Sequence, residues 1–95
     1  MALQIQVTAR HVEISDRIRR YAQSRTQKLE RYYDGIIDAH VNLSKDNSPA
    51  EEKTAEINID VYQKRLSAGD SADTYEQAIN KSVDHLRRQL EKYKA

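Results

Sequence analysis

The 95-residue chain has no cysteine, no tryptophan and no phenylalanine, one proline, one methionine and two glycines. Without cysteine, neither a disulfide nor a thiolate metal site can staple the fold, which accords with a reducing compartment. Two glycines cannot build a phosphate-cradling loop, and there is no nucleophile elbow. The histidines, His11, His40 and His85, fall on a predicted loop, strand and helix, with no HExxH or related ligand spacing. The carboxylates are scattered over exposed positions. Catalysis, a metal, a cofactor and a small-molecule substrate are therefore not expected. Six tyrosines make up the whole aromatic complement, and no RNP sequence is present, which argues against an RRM. Five of them (Tyr21, Tyr32, Tyr33, Tyr75 and Tyr93) lie on or beside apolar helix stripes, where packing with the hydroxyl at the surface explains them better than base stacking. The start, Met-Ala-Leu-Gln-Ile-Gln-Val, lacks a basic region followed by a long apolar run, so no signal peptide is expected. No apolar stretch reaches the roughly 18 residues of a membrane span, so the expectation is a soluble, cytoplasmic protein without a membrane partner.

What remains is charge and alternation. The length suits one domain over residues 1–95, with a single core. The net charge of +1 conceals a segregation. Residues 16–33 carry six basic and two acidic side chains (+4), residues 73–95 five and four (+1), and the other 54 residues five and nine (−4). For association with a phosphate backbone, this local distribution matters more than the total.

Leu3, Ile5 and Val7 alternate with glutamines as a first strand. Ser15 is a candidate N-cap, with Asp16 at the positive end of the helix dipole. The helix it starts is expected to reach about Tyr33 and to end at a left-handed Gly35. Ile37, Ala39, Val41 and Leu43 form the inward side of a second strand. Residues 44–52, with the only proline, read as an exposed connection. Ala55, Ile57, Ile59 and Val61 mark a third strand. A short fourth strand is expected over Lys64–Ala68, broken by Gly69 and Asp70, with Ser71 or Asp73 starting the last helix. The resulting order, β-α-β-β-β-α, predicts an α+β two-layer domain. Its four-stranded sheet should carry both helices on one face, in the manner of double-stranded-RNA-binding domains. The first two strands should be parallel through a right-handed crossover and the rest antiparallel.

Each helix pairs an apolar stripe with a basic one. Ile18, Ala22, Leu29 and Tyr33 are the buried side of the first helix, and Arg17, Arg20, Lys28 and Arg31 form a separate ridge. In the last helix Tyr75, Ile79, Val83, Leu86, Leu90 and Tyr93 face the core. Lys81, His85, Arg88 and Lys92 form a second row, with Glu76, Asp84 and Glu91 on the other flank. Arg25 lies near the middle of the first helix's apolar stripe at about 100° per residue. It is read as reaching over the groove between the helices, joining both basic ridges, rather than as an arginine that merely snorkels from the core edge. The opposite sheet face, with Asp38, Asn42, Glu56, Asn58 and Asp60, is polar to acidic, so a polyanion should meet the helical side.

Two stretches carry a family resemblance that spans essentially the whole chain. The last helix has Asp73, Tyr75, Ala78-Ile79-Asn80, Val83-Asp84, Leu86, Arg88-Gln89-Leu90, Lys92 and Lys94. The first has Val12-Glu13-Ile14-Ser15, Ile18-Arg19, Tyr21, Arg25 and Lys28-Leu29-Glu30-Arg31-Tyr32. On these residues the chain resembles the ribosome hibernation-promoting factors, also called ribosome-associated inhibitors, in their short single-domain form. The resemblance implies binding to the small ribosomal subunit and its ribosomal RNA, in the channel of messenger and transfer RNA. Occupancy there under stress or in stationary phase would block translation and stabilise idle ribosomes or promote their dimerisation, the latter with a separate partner protein. It carries over Arg25, Lys28, Arg88 and Lys92 as RNA contacts, followed by His85, which stands where many members have lysine. The alternatives are a generic double-stranded-RNA module and a regulatory protein-interaction module. The first is disfavoured because the basic row from Lys81 to Lys92 runs along the helix body.

Overall fold

The computed structural model describes residues 3–33, 35–45 and 52–94. The elements are β1 (Gln4–Ala9), α1 (Asp16–Gln27), a 3-10 turn (Lys28–Arg31), β2 (Ile36–Lys45), β3 (Lys53–Val61), β4 (Lys64–Ala72) and α2 (Tyr75–Lys94). The strands form one sheet in the order β1-β2-β3-β4. β1 and β2 are parallel, and the two remaining pairings are antiparallel. This is the predicted α+β topology.

Alternation sets the register. Val7 pairs with Val41, Val41 with Ile57, and Ile57 with Ala68, so one row of apolar side chains crosses all four strands on the inner face. Both helices cover that face: Ile18 and Ala22 of α1, with Leu29 just after it, and Ile79, Leu86 and Leu90 of α2 belong to the same core. Each such large side chain contributes roughly 1.5–3 kcal/mol on burial. Buried Ser82 donates its hydroxyl to the Ala55 carbonyl at 3.0 Å, which satisfies a polar group where α2 presses on β3.

The ends of the elements depart from expectation in instructive ways. β4 does not break at Gly69-Asp70. It continues to Ala72, with Gly69 opposite Glu56. A Cβ at Gly69 would stand 3.3 Å from the Ala55 carbonyl oxygen, so glycine fits a close approach of strands here, not a turn. α2 therefore starts at Tyr75, capped by neither Ser71 nor Asp73 but by Thr74, whose Oγ1 accepts from the Gln77 N–H at 3.2 Å. α1 ends by tightening into the 3-10 turn. No glycine among the described residues has positive φ. Gly35 leaves room for the tip of the Tyr33 ring, which would stand 2.7 Å from a Cβ there. At the start of β2 the register shifts between Ile36 and Asp38, so Ile36 is buried and Ile37, expected inside, is 59% exposed. Ser44 and Lys45 belong to β2, and the rest of the expected connection, residues 46–51, lies outside the described residues.

The Ser15 cap is as expected, with Oγ accepting from the Ile18 N–H at 3.2 Å. Ser15→Ala should cost about 1 kcal/mol, lowering the thermal midpoint by roughly 4–8 °C, readable by circular dichroism. An unchanged midpoint would mean that this cap contributes nothing.

Candidate nucleic-acid interface

The two helices meet along a seam whose walls can be named from the contacts. Arg17 of α1 reaches Glu76 of α2 at 2.9 Å. One turn on, the Asn80 amide donates to the Tyr21 hydroxyl at 2.7 Å. Beyond that the seam opens into a concavity of about 110 Å³ lined by Arg25, Lys28, Tyr32, Asn80, Asp84 and Arg87, among others. Arg87 lies over the Tyr32 ring at 5.7 Å and also binds Asp84 and Glu91, each at 2.9 Å. The Arg87 guanidinium, with Arg88 adding to it, holds the Asp84 carboxyl below the ordinary carboxylate range. That carboxyl thus favours the fold above about pH 4, and its contribution is lost as the pH falls through its depressed folded value.

Arg25 sits where the sequence placed it, half-buried in this groove. Its Nε is buried without a hydrogen-bond partner among the described residues, and so is Oδ1 of Asn80. A donor and an acceptor therefore stand unsatisfied in one groove. The expectation that Arg25 joins both basic ridges is corrected, however. The α2 wall is the flank of Glu76, Asn80, Asp84 and Arg87, and Lys81, His85 and Lys92 of the basic row lie on the other flank. Lys81 reaches the Ser71 carbonyl and His85 the Asp70 carboxylate, at 3.4 and 3.2 Å, and Gln89 donates to the Ser67 carbonyl at 2.9 Å. All three partners are on β4, at the edge of the sheet away from α1. The physical reason is angular: with the core stripe centred on Ile79, Leu86 and Leu90, positions 81, 85 and 92 fall on the opposite flank from 80, 84 and 87. Arg88, 61% exposed, stands between the two flanks and pairs with Asp84 at 2.9 Å.

On the α1 side, Arg20, Lys28 and Arg31 are exposed, and among the described residues they and Arg25 have no carboxylate partner. Arg17 is exposed yet tied to Glu76. Lys92 is exposed on α2. The sequence reading passed over two arginines: Arg87, and Arg19, which donates to the Val7 carbonyl at 2.8 Å and so braces α1 on β1. Arg87 looks like an ordinary intrahelical ion-pair residue. Its place one position after the core Leu86 marks it as bordering the core stripe, and the packing of α2 on the sheet turns that border toward α1.

The sequence matches the family model described as Sigma 54 modulation protein / S30EA ribosomal protein over residues 5–95. The chain belongs to this family. Among its curated relatives, the ribosome hibernation promotion factor of Deinococcus radiodurans is 35% identical over 92 residues. That match covers 94% of this chain and 48% of the relative, so the chain spans about half that protein's length. The ribosome hibernation promoting factor of Escherichia coli K12 is 28% identical, with 97% of this chain and 94% of that protein covered. Among solved structures, the N-terminal domain of Protein Y from Thermus thermophilus superposes with a TM-score of 0.81 at 29% identity, covering 98% of this chain and 99% of that one. A ribosomal subunit interface protein from Coxiella burnetii gives 0.85 at 22% identity, covering 97% and 98%, which speaks to the fold alone. The family member described here thus has the sheet and paired helices of its solved relatives. Among its described residues no helix is long and apolar enough to cross a membrane.

Proposed function

We propose that this protein is a ribosome-binding hibernation factor that works by occlusion. Its helical face occupies the channel of messenger and transfer RNA on the small subunit, blocks initiation, and stabilises idle ribosomes or promotes their dimerisation together with a separate partner. Family membership supports the ribosome-associated hibernation role. The observation that supports the choice of surface is the distribution of charge: Arg20, Arg25, Lys28 and Arg31 lie on the helical layer without carboxylate partners among the described residues, whereas the open sheet face presents Asp38, Glu56 and Asp60. The first set takes the place of counterions released from the phosphates, while the second set repels the phosphates.

The test is sedimentation with purified small subunits through sucrose, coupled to an initiation assay. The wild-type protein should travel with the small subunit and block initiation. Glu56→Gln, on the repelling face, should bind equally well or slightly better. Failure to travel with the small subunit, or binding that leaves initiation untouched, would refute the occlusion reading.

A further inference from the structure

The open face of the sheet takes no part in the proposed RNA contact, yet it is more than a solvated surface. A concavity of about 240 Å³ lies there, its walls including Gln6, Asp38, His40, Asn58, Asp60 and Arg65. Asp38 and Asp60 are cross-strand partners on β2 and β3. The Arg65 guanidinium forks onto the Asp60 carboxylate at 2.7 and 3.3 Å and acts on Asp38 through its charge alone. A hydrogen bond with Asp60 holds the Asp38 carboxyl above the usual range, and partial burial and the Asp60 charge push it the same way. In this cluster two carboxylates share one guanidinium, and Glu56 adds a further acidic group to the same face.

Next to this pair stand two of the three exposed large apolar side chains found among the described residues, Ile37 and Tyr62, the latter 70% exposed. Ile36 pairs with Val61, so the two residues that follow these, Ile37 and Tyr62, lie at one end of the sheet. The Tyr62 turn is held in place. The Tyr93 hydroxyl donates to the Tyr62 carbonyl at 2.9 Å, and Gln63 takes the left-handed conformation with φ 64° that closes the hairpin. Apolar side chains on a fixed turn beside an unbalanced carboxylate pair are the composition of a protein-docking surface, with an apolar anchor and a charged partner to orient it.

We infer that this sheet face, centred on Asp38 and Asp60 with Ile37 and Tyr62 at its apolar margin, docks a lysine- and arginine-rich, partly apolar protein segment of the particle that the helical face binds. The inference rests on the proposed function for where the segment comes from, and on charge complementarity for what it is. An ammonium or guanidinium set between Asp38 and Asp60 supplies the missing positive charge, and leucine- or valine-sized side chains cover Ile37 and Tyr62. Nucleic acid is disfavoured here because its phosphates would face two carboxylates.

The experiment replaces Tyr62 with the photo-crosslinker p-benzoylphenylalanine and irradiates the full-length protein bound to purified ribosomes, with mass spectrometry of the products. The expected product joins position 62 to a basic protein segment. Its yield should fall about fivefold when Asp38→Asn and Asp60→Asn are combined, while the protein still sediments with ribosomes. Crosslinks only to ribosomal RNA, no crosslink from sedimenting protein, or a yield indifferent to the two substitutions would overturn the inference and leave the proposed function standing. A second arm uses no ribosome: the ¹⁵N-labelled free protein is titrated with a synthetic octapeptide alternating lysine and leucine at about 100 mM salt. Amide shifts should concentrate on β2, β3 and the Tyr62 turn. Shifts centred on the helices, or none, would overturn the inference even if the ribosome reading had already failed.

Discussion

Exchanging Arg25, Lys28, Arg88 and Lys92 together for glutamine is expected to reduce affinity for the small subunit by about a thousandfold, since four charge-assisted phosphate contacts at roughly 1 kcal/mol or more each are removed. Thermal stability should stay near wild type, because surface exchanges of this kind usually cost under about 0.5 kcal/mol. The individual contributions differ in kind. Lys28 and Lys92 are exposed and act as plain charges. Arg88 is paired with Asp84 and must leave that carboxylate to take a phosphate, so its single exchange should cost less than that of an unpaired lysine. Arg25 offers a buried Nε without a partner among the described residues, so its exchange tests whether an acceptor enters the groove. A second set, Lys81→Gln with His85→Gln, should weaken binding several-fold less, because those side chains lean on β4 and are partly spent there. The assignment of the helical face fails if the quadruple variant, shown folded by circular dichroism, still blocks initiation on purified small subunits. Should it unfold, the four single variants carry the same test.

The elements of this fold were legible because the strands alternate so cleanly. Val41, Leu43, Ala55, Ile57 and Ile59 are all fully buried, and their polar neighbours point the other way. Boundaries were less legible wherever one residue has two physical uses. Gly69 reads as a breaker, since glycine usually marks a turn; here it is the residue that lets β4 lie close to Ala55 and Glu56. Gly35 reads as a left-handed cap; here it leaves room for the Tyr33 ring. Ile37 reads as core by period, and a single register shift turns it out. Local pattern carries no information about the approach of a neighbouring strand or ring, and these three residues answer to such neighbours.

For the candidate interface the same division holds. That basic side chains gather on the helices is visible in sequence, and Arg25 was placed in the groove by its anomalous position in an apolar stripe. Which flank of α2 faces α1 was not visible, because it depends on how the helices sit on the sheet: α1 beside β1, α2 over β3 and β4. Once that is known, Asp84 and Arg87 become groove residues, and Lys81 and His85 become edge residues. Charge sorting on a helix thus indicates the type of partner, and tertiary placement decides which charges can reach it together.

If about six phosphates are neutralised by Arg17, Arg20, Arg25, Lys28, Arg88 and Lys92, the logarithm of affinity should fall with the logarithm of salt concentration at a slope of about −4 to −5. Between about 50 and 200 mM salt that amounts to a loss of several hundredfold, the signature of counterion release rather than of apolar contact. The structure refines how the slope divides. Arg17 is held by Glu76 and Arg88 by Asp84, so each must give up an existing ion pair before it takes a phosphate. Among the described residues, Arg20, Arg25 and Lys28 have no carboxylate to leave. Exchange of Lys28 for glutamine should therefore lower the slope by nearly one, and exchange of Arg17 by distinctly less. Filter binding of ribosomal RNA or sedimentation with small subunits, repeated across salt concentrations, reads both quantities. A nearly flat dependence would show that shape and apolar contact dominate and that the basic ridge of α1 is a solvated surface. A steep slope that Lys28→Gln leaves unchanged would keep the electrostatic mechanism but move it off this ridge.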